Sequence, residues 1–177
     1  MSAIIPRLTP AQLRDALARI AEGELGVREV GGNNKGPRIR VYQSATWLKP
    51  DAWAWCAAFV CWTIREWLKA PAVLQALNLT PAKAEKWRPK TAAAFGLENW
   101  AEMHGMKVLG EDAEVRRGDL FTLDVSHVGI IRRDAPARYP IRTIEGNTSP
   151  AGSNEGGGVY SLTRQNRASV RRIIRIV

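Results

Sequence analysis

Cys56 lies inside WAWCAAFVCW, the stretch from Trp53 to Trp62, at the point where helical character begins. A thiol becomes an effective nucleophile only as the thiolate, a form favoured by a helix N-terminus and by an imidazolium neighbour. The same helix start offers backbone N–H groups to an oxyanion forming on an attacked carbonyl. His127, one of only two histidines, opens SHVGII at the start of a buried-looking strand, where packing does not call for an imidazole. A catalytic imidazole needs a partner on its second nitrogen to fix its tautomer and orientation. TIEGNTS supplies two candidates, Glu145 and Asn147, which stand two apart on a predicted strand and point to the same face. Cysteine, histidine and an orienting polar group together point to acyl transfer through a thioester.

The remaining reactive side chains have plainer readings. Cys61, five residues beyond Cys56, is about 7.5 Å further along a helix axis, too far for a disulfide, and is expected to be a small core residue. His104 ends a predicted helix, where a cationic side chain suits the dipole. Cys56, Cys61, His104 and His127 match no usual zinc-ligand spacing, and no phosphate-binding glycine motif occurs, so no metal, nucleotide or other cofactor is expected. Two alternatives stand beside the thiol chemistry. A muramidase could use Glu22, Glu24 or Glu29 as its general acid. A noncatalytic basic module could grip wall or nucleic-acid phosphate through residues 156–177, which carry five arginines and no acid; a solvated strand face is the preferred reading of that stretch.

Helices must come first and strands afterwards. LTPAQLRDALARIAEGELG predicts an amphipathic helix with Thr9 as N-cap, Pro10 in the first position and Gln12 completing a capping box. GVREVGGNNKGPRIRVY, rich in Gly and Asn, is expected to be a shaped loop. A second helix is predicted from Cys56 to about Lys69, and PAVLQALNLTPAKAEKWRP reads as short helix and turns. A further helix is predicted from Thr91, with a stop at Gly105. DLFTL, SHVGIIRR, YPIRTIEG, GVYSLTR and SVRRIIRIV are short, β-branched and separated by turn residues, while NTSPAGSNEGGG reads as a mobile loop. The expected fold is α+β with an antiparallel sheet, helical over about 1–105 and β over about 106–177.

The 177 residues, 45% of them apolar, are enough for one core, so residues 1–177 are expected to form a single domain. The net charge of +9 favours anionic surroundings such as a bacterial wall or membrane surface. No signal peptide and no membrane-length apolar run is apparent, which predicts synthesis in a cytoplasm.

GVREVGGNNKGPRIRVYQ, WAWCAAFVCW, RRGDLFTLDVSHVGII and IRTIEGNTS, in this order, resemble the CHAP family of cysteine, histidine-dependent amidohydrolases/peptidases, found in bacteriophage endolysins and bacterial wall hydrolases. The resemblance runs from about Gly26 to the C-terminus. It implies a papain-like fold with Cys56 as nucleophile, His127 as base and acid, Glu145 as the orienting group and Asn147 as a further polar member. It also implies substrate contacts from the Asn34 loop. Trp53 and Trp55, which flank the nucleophile, are candidates either for the cleft wall or for aromatic core positions. The implied activity is cleavage of a peptidoglycan amide, either the sugar-to-peptide bond or one within the stem or cross-bridge, by a monomer serving phage-induced lysis, with no specific nucleic-acid partner. KPDAWAWCAA offers only Asp51 where calcium-binding relatives are acidic, so no calcium site is expected.

Overall fold

In a computed structural model, residues 7–177 are described; the first six residues, which enter the reading of the N-terminus, lie outside them. Helix α1 (Pro10–Glu22) starts as its sequence requires. Gln12 N–H donates to Thr9 Oγ1 at 3.2 Å and Thr9 N–H to Gln12 Oε1 at 2.9 Å, closing the capping box. Leu13, Leu17 and Ala21 recur at helical spacing and turn inward. The loop expected after α1 contains a short helix, α2 (Pro37–Gln43), entered through Gly36 at φ 136° with Pro37 in the first turn. The glycines and asparagines of that stretch shape the approach to the helix and do not extend into it.

Helix α3 (Cys56–Trp67) is the centre of the molecule: every residue but Arg65 and Glu66 is buried. Its Phe59, Val60 and Ile64 are fully sequestered, each contributing roughly 1.5–3 kcal/mol of burial. Two short helices follow, α4 (Pro71–Leu77), ended by Asn78 in the left-handed conformation, and α5 (Pro81–Trp87), capped by Thr80. Helix α6 (Gly96–Met103) begins five residues later than the Thr91 start expected from sequence. The Thr91 side chain lies so close over Gly96 that a Cβ there would sit 2.1 Å from its hydroxyl.

Six antiparallel strands follow: β1 (Lys107–Leu109), β2 (Leu120–Leu123), β3 (His127–Ile131), β4 (Ile141–Thr148), β5 (Gly158–Arg164) and β6 (Val170–Arg175), in the order β1-β6-β2-β3-β4-β5. β1, only three residues long, was not anticipated. Alternation along the strands divides the apolar side chains. Leu120, Val128, Ile130, Ile144 and Ile174 join the helices in the main core, while Phe121, Ile131, Ile141 and Ile173 form a smaller cluster on the other face. The fold is α+β, helical first and β afterwards. Among the described residues no helix is long and apolar enough to cross a membrane.

Candidate active site

Cys56 occupies the first position of α3, and the residue before it, Trp55, provides no side-chain cap. The first-turn N–H groups of α3, which have no intrahelical acceptor, therefore receive nothing from the N-cap side chain. The approach to Cys56 is pinned by Gln43 at the end of α2, whose Nε2–H₂ donates to the carbonyls of Asp51 at 2.5 Å and Trp53 at 3.0 Å. Trp55 is not a cleft wall. Its ring is fully buried, stacks on Tyr42 at 5.5 Å and donates Nε1–H to Glu29 Oε1 at 2.8 Å. Trp53 is half-buried against the main core and donates its indole N–H to the Lys49 carbonyl at 2.9 Å.

His127 begins β3 beside this helix start, completely buried. Its Nε2 lies 2.8 Å from Glu145 Oε2 on the neighbouring β4. An ionised carboxylate only accepts, so Nε2 carries the proton and Nδ1 is the nitrogen left for proton transfer. Nδ1 makes no formed hydrogen bond among the described residues, while Cys56 is close enough to the ring to influence its titration. Burial disfavours the imidazolium, yet Cys56 and Glu145 together outweigh it and raise the His127 pKa to about 9.

Glu145 is buried without being isolated. Burial alone would push its carboxyl upward, but His127 and Arg164 hold it down at about 2. Arg164, on β5, donates Nε–H to Oε1 at 2.9 Å and Nη2–H to Oε2 at 2.5 Å, and the Thr143 hydroxyl donates to Oε1 at 2.6 Å. Two glycines make room for this arrangement. A Cβ on Gly129 would lie 2.8 Å from Glu145 Cγ, and one on Gly146 would lie 2.8 Å from both Phe59 and Trp55. Gly129 thus leaves space for the carboxylate between β3 and β4, and Gly146 lets β4 approach α3 just beyond its nucleophile end.

Asn147 does not share the Glu145 face in the simple way strand alternation predicts. The β4–β5 register shifts between Glu145 and Thr148, and Asn147 adopts φ 57° within that irregularity. It is buried, its amide makes no hydrogen bond among the described residues, and the group that holds His127 is Glu145 alone. Asn34, also in the left-handed region at φ 58°, is nearly buried with its Oδ1 unpaired among the described residues. It lines a cleft of about 550 Å³ together with Lys35, Arg40, Asp51 and Ala52, between the loop after α1 and the chain leading to Cys56.

The residues of the alternative readings are engaged elsewhere. Glu22 is clamped by Arg117 and Arg132, and hydrogen bonding to Arg117, ahead of an opposing burial effect, brings its pKa to about 2. Glu24 is also lowered: burial pushes it up, but Arg38 and Tyr42 prevail. Both shifts run opposite to what a general acid needs. Glu29 accepts the Trp55 indole proton. Four of the five C-terminal arginines are held internally: Arg164 by Glu145, Arg167 by the carbonyls of Tyr139, Glu111 and Ala113, Arg171 by Glu98, and Arg175 by Asp119. Cys61 is sealed in the core, where burial pushes its thiol up to about 12. The exposed His104 caps α6, its Nδ1 2.8 Å from the Trp100 carbonyl oxygen.

Sequence reasoning missed Arg164, Thr143 and Gln43. Thr143 had a readable signal, standing two residues before Glu145 on one strand. Arg164 and Gln43 act across register and loop geometry that a linear pattern does not encode. The fold and geometry define an α+β protein that groups a thiol at a helix start with a buried imidazole and its carboxylate. No protein-family model matches the chain, and no curated protein matches it in sequence.

Proposed function

We propose that this protein is a cysteine-dependent amidohydrolase of bacterial peptidoglycan, similar to CHAP-family wall hydrolases and serving cell lysis. One observation carries the reading: Cys56 heads α3 beside His127, whose far nitrogen is fixed by an ionised, buried Glu145. The proton of Cys56 passes to His127 Nδ1, and the thiolate attacks an amide carbonyl carbon. The first-turn N–H groups of α3 stabilise the tetrahedral oxyanion. As the C–N bond breaks, the imidazolium protonates the departing amine and a thioester remains. Water then gives a proton to Nδ1 and attacks the thioester; the C–S bond breaks, releasing a carboxylate product and the free thiol.

The substrate class rests on the resemblance of the four sequence segments around this site, together with the net charge of +9, which favours an anionic wall. The cleft at Asn34, lined by Lys35, Arg40 and Asp51 beside apolar Val30 and Pro37, offers a mixed-charge surface that would suit a peptide stem. No specific observation favours the muramidase or the basic binding module. The test is digestion of purified peptidoglycan by wild type and Cys56→Ala, followed by mass spectrometry. New amine and carboxyl ends from wild type, with none from a folded Cys56→Ala, are expected. New reducing sugar ends, or full activity in the variant, overturn the proposal.

A further inference from the structure

We infer that Arg164 is a positioning residue of this site, acting through Glu145 on the imidazole of His127. The inference rests on the hydrolase reading only where it concerns turnover. Its basis is geometric. The guanidinium reaches Glu145 from β5 with both prongs, Nε–H to Oε1 at 2.9 Å and Nη2–H to Oε2 at 2.5 Å, while Nη1–H is tied to the Gly152 carbonyl at 3.0 Å. A two-pronged contact sets the plane of the carboxylate as well as its place. Oε2, which receives Nη2–H, is also the oxygen that holds His127 Nε2 at 2.8 Å. Arg164 and His127 therefore draw on one oxygen, and the direction of its lone pair toward the imidazole is set by the arginine.

A structural ion pair elsewhere in the fold has no such link. Arg175 holds the buried Asp119, which otherwise bonds only the backbone N–H of Arg116, so that pair ends in the scaffold. The Arg164 pair ends on an imidazole beside a thiol. Glu145 is fully buried, and a carboxylate in that position without a cation neutralises by taking a proton. Protonated, it would no longer act as the anionic acceptor that fixes the Nε2–H tautomer and supports the imidazolium. The groups that face Glu145 are few. They are His127 from β3, with Cys56 of α3 beyond it; Arg164 from β5; and Thr143 from its own strand. Tyr160, its register partner on β5, lies under the Arg28 guanidinium. Arg164 is thus the one permanent cation on this carboxylate among the described residues.

The consequence is measurable without any wall substrate. Iodoacetamide alkylation of Cys56, followed against pH, reports the fraction of thiolate supported by the imidazolium. In Arg164→Gln the carboxylate loses the fork that orients it toward Nε2, its support of the imidazolium weakens, and the half-rise of Cys56 alkylation is expected to move up by about one pH unit. Arg164→Lys keeps the charge and loses the fork, and its profile is expected to fall between those of Arg164→Gln and wild type. An unchanged profile in Arg164→Gln that retains native near-ultraviolet circular dichroism overturns the inference. So does Arg164→Lys no different from Arg164→Gln. If Arg164→Gln does not fold, Arg164→Lys decides: a profile displaced from wild type supports the inference, and one that coincides with wild type overturns it. The two readings fail separately. A shifted alkylation profile without amide products from peptidoglycan removes the hydrolase proposal alone, and amide products with an unshifted Arg164→Gln profile remove the role of Arg164 alone.

Discussion

The starts of α1 and α3 pose the same physical problem and resolve it in opposite ways. Each helix begins with backbone N–H groups that have no intrahelical acceptor. At α1 the chain closes the end with its own side chains, Thr9 and Gln12 exchanging hydrogen bonds in a capping box. At α3 the N-cap is Trp55, whose ring is turned into the core to stack on Tyr42, and no side chain caps the helix. What stands at that open end is a thiol with a buried imidazole beside it. One helix start is closed by its own side chains, while the other leaves its first-turn donors without a side-chain cap, where the proposed reaction would place its oxyanion.

The difference can be broken from either side. The largest effect is expected at the polar group behind α3. Glu145→Gln leaves the buried His127 and the partly buried Arg164 without their anion and should cost roughly 3 kcal/mol in a urea unfolding experiment. It should also change how stability depends on pH. His127, raised to about 9 in the folded protein, contributes stability that is fully present below its unfolded value near 6.5 and is lost as pH rises through 9. Glu145, lowered to about 2, contributes stability that is present above its unfolded value near 4.5 and is lost as pH falls through 2. Both contributions are complete between about pH 4.5 and 6.5, and the wild-type excess over Glu145→Gln should be greatest there. An excess that does not vary with pH would detach this pair from the stability of the fold.

At α1 the expected effect is smaller. Thr9→Ala removes the cap and should lower stability by about 1 kcal/mol while leaving the alkylation rate of Cys56 unchanged. A slower Cys56 in that variant would mean that the two helix starts are coupled.

These contrasts were unequally legible in the sequence. The α1 capping box could be read outright, because Thr9, Pro10 and Gln12 interact within four residues and the signal is local. The helix start at Cys56, the strand at His127 and the order of helices before strands were legible for the same reason, since apolar periodicity records the local conformation. Failures arose where conformation was set by something else. Helix α2 is hidden in a stretch that reads as loop, because the glycines before it dominate the pattern although Pro37 marks its first turn. For Trp55 the pattern leaves cleft and core both open, because it does not reveal which way a ring turns at a helix start; the ring turns into the core. Asn147 was placed on the Glu145 face by strand alternation that a register shift interrupts. Arg164 went unnoticed because its pairing with Glu145 depends on the register of β5 against β4, which is fixed only in the folded sheet.

Helix α3 carries two unlike thiols: the proposed reaction uses Cys56 at its start, while Cys61 packs in the core. Labelling the native protein with iodoacetamide at pH 6, and locating the label by mass spectrometry, tests this division of roles most directly. Cys56, which keeps 5% exposure, is expected to be modified faster than free cysteine, while Cys61, fully buried and held as the thiol, is expected to stay unmodified until the protein unfolds. Labelling of Cys56 no faster than free cysteine, or equal labelling of both thiols in the folded protein, would contradict it.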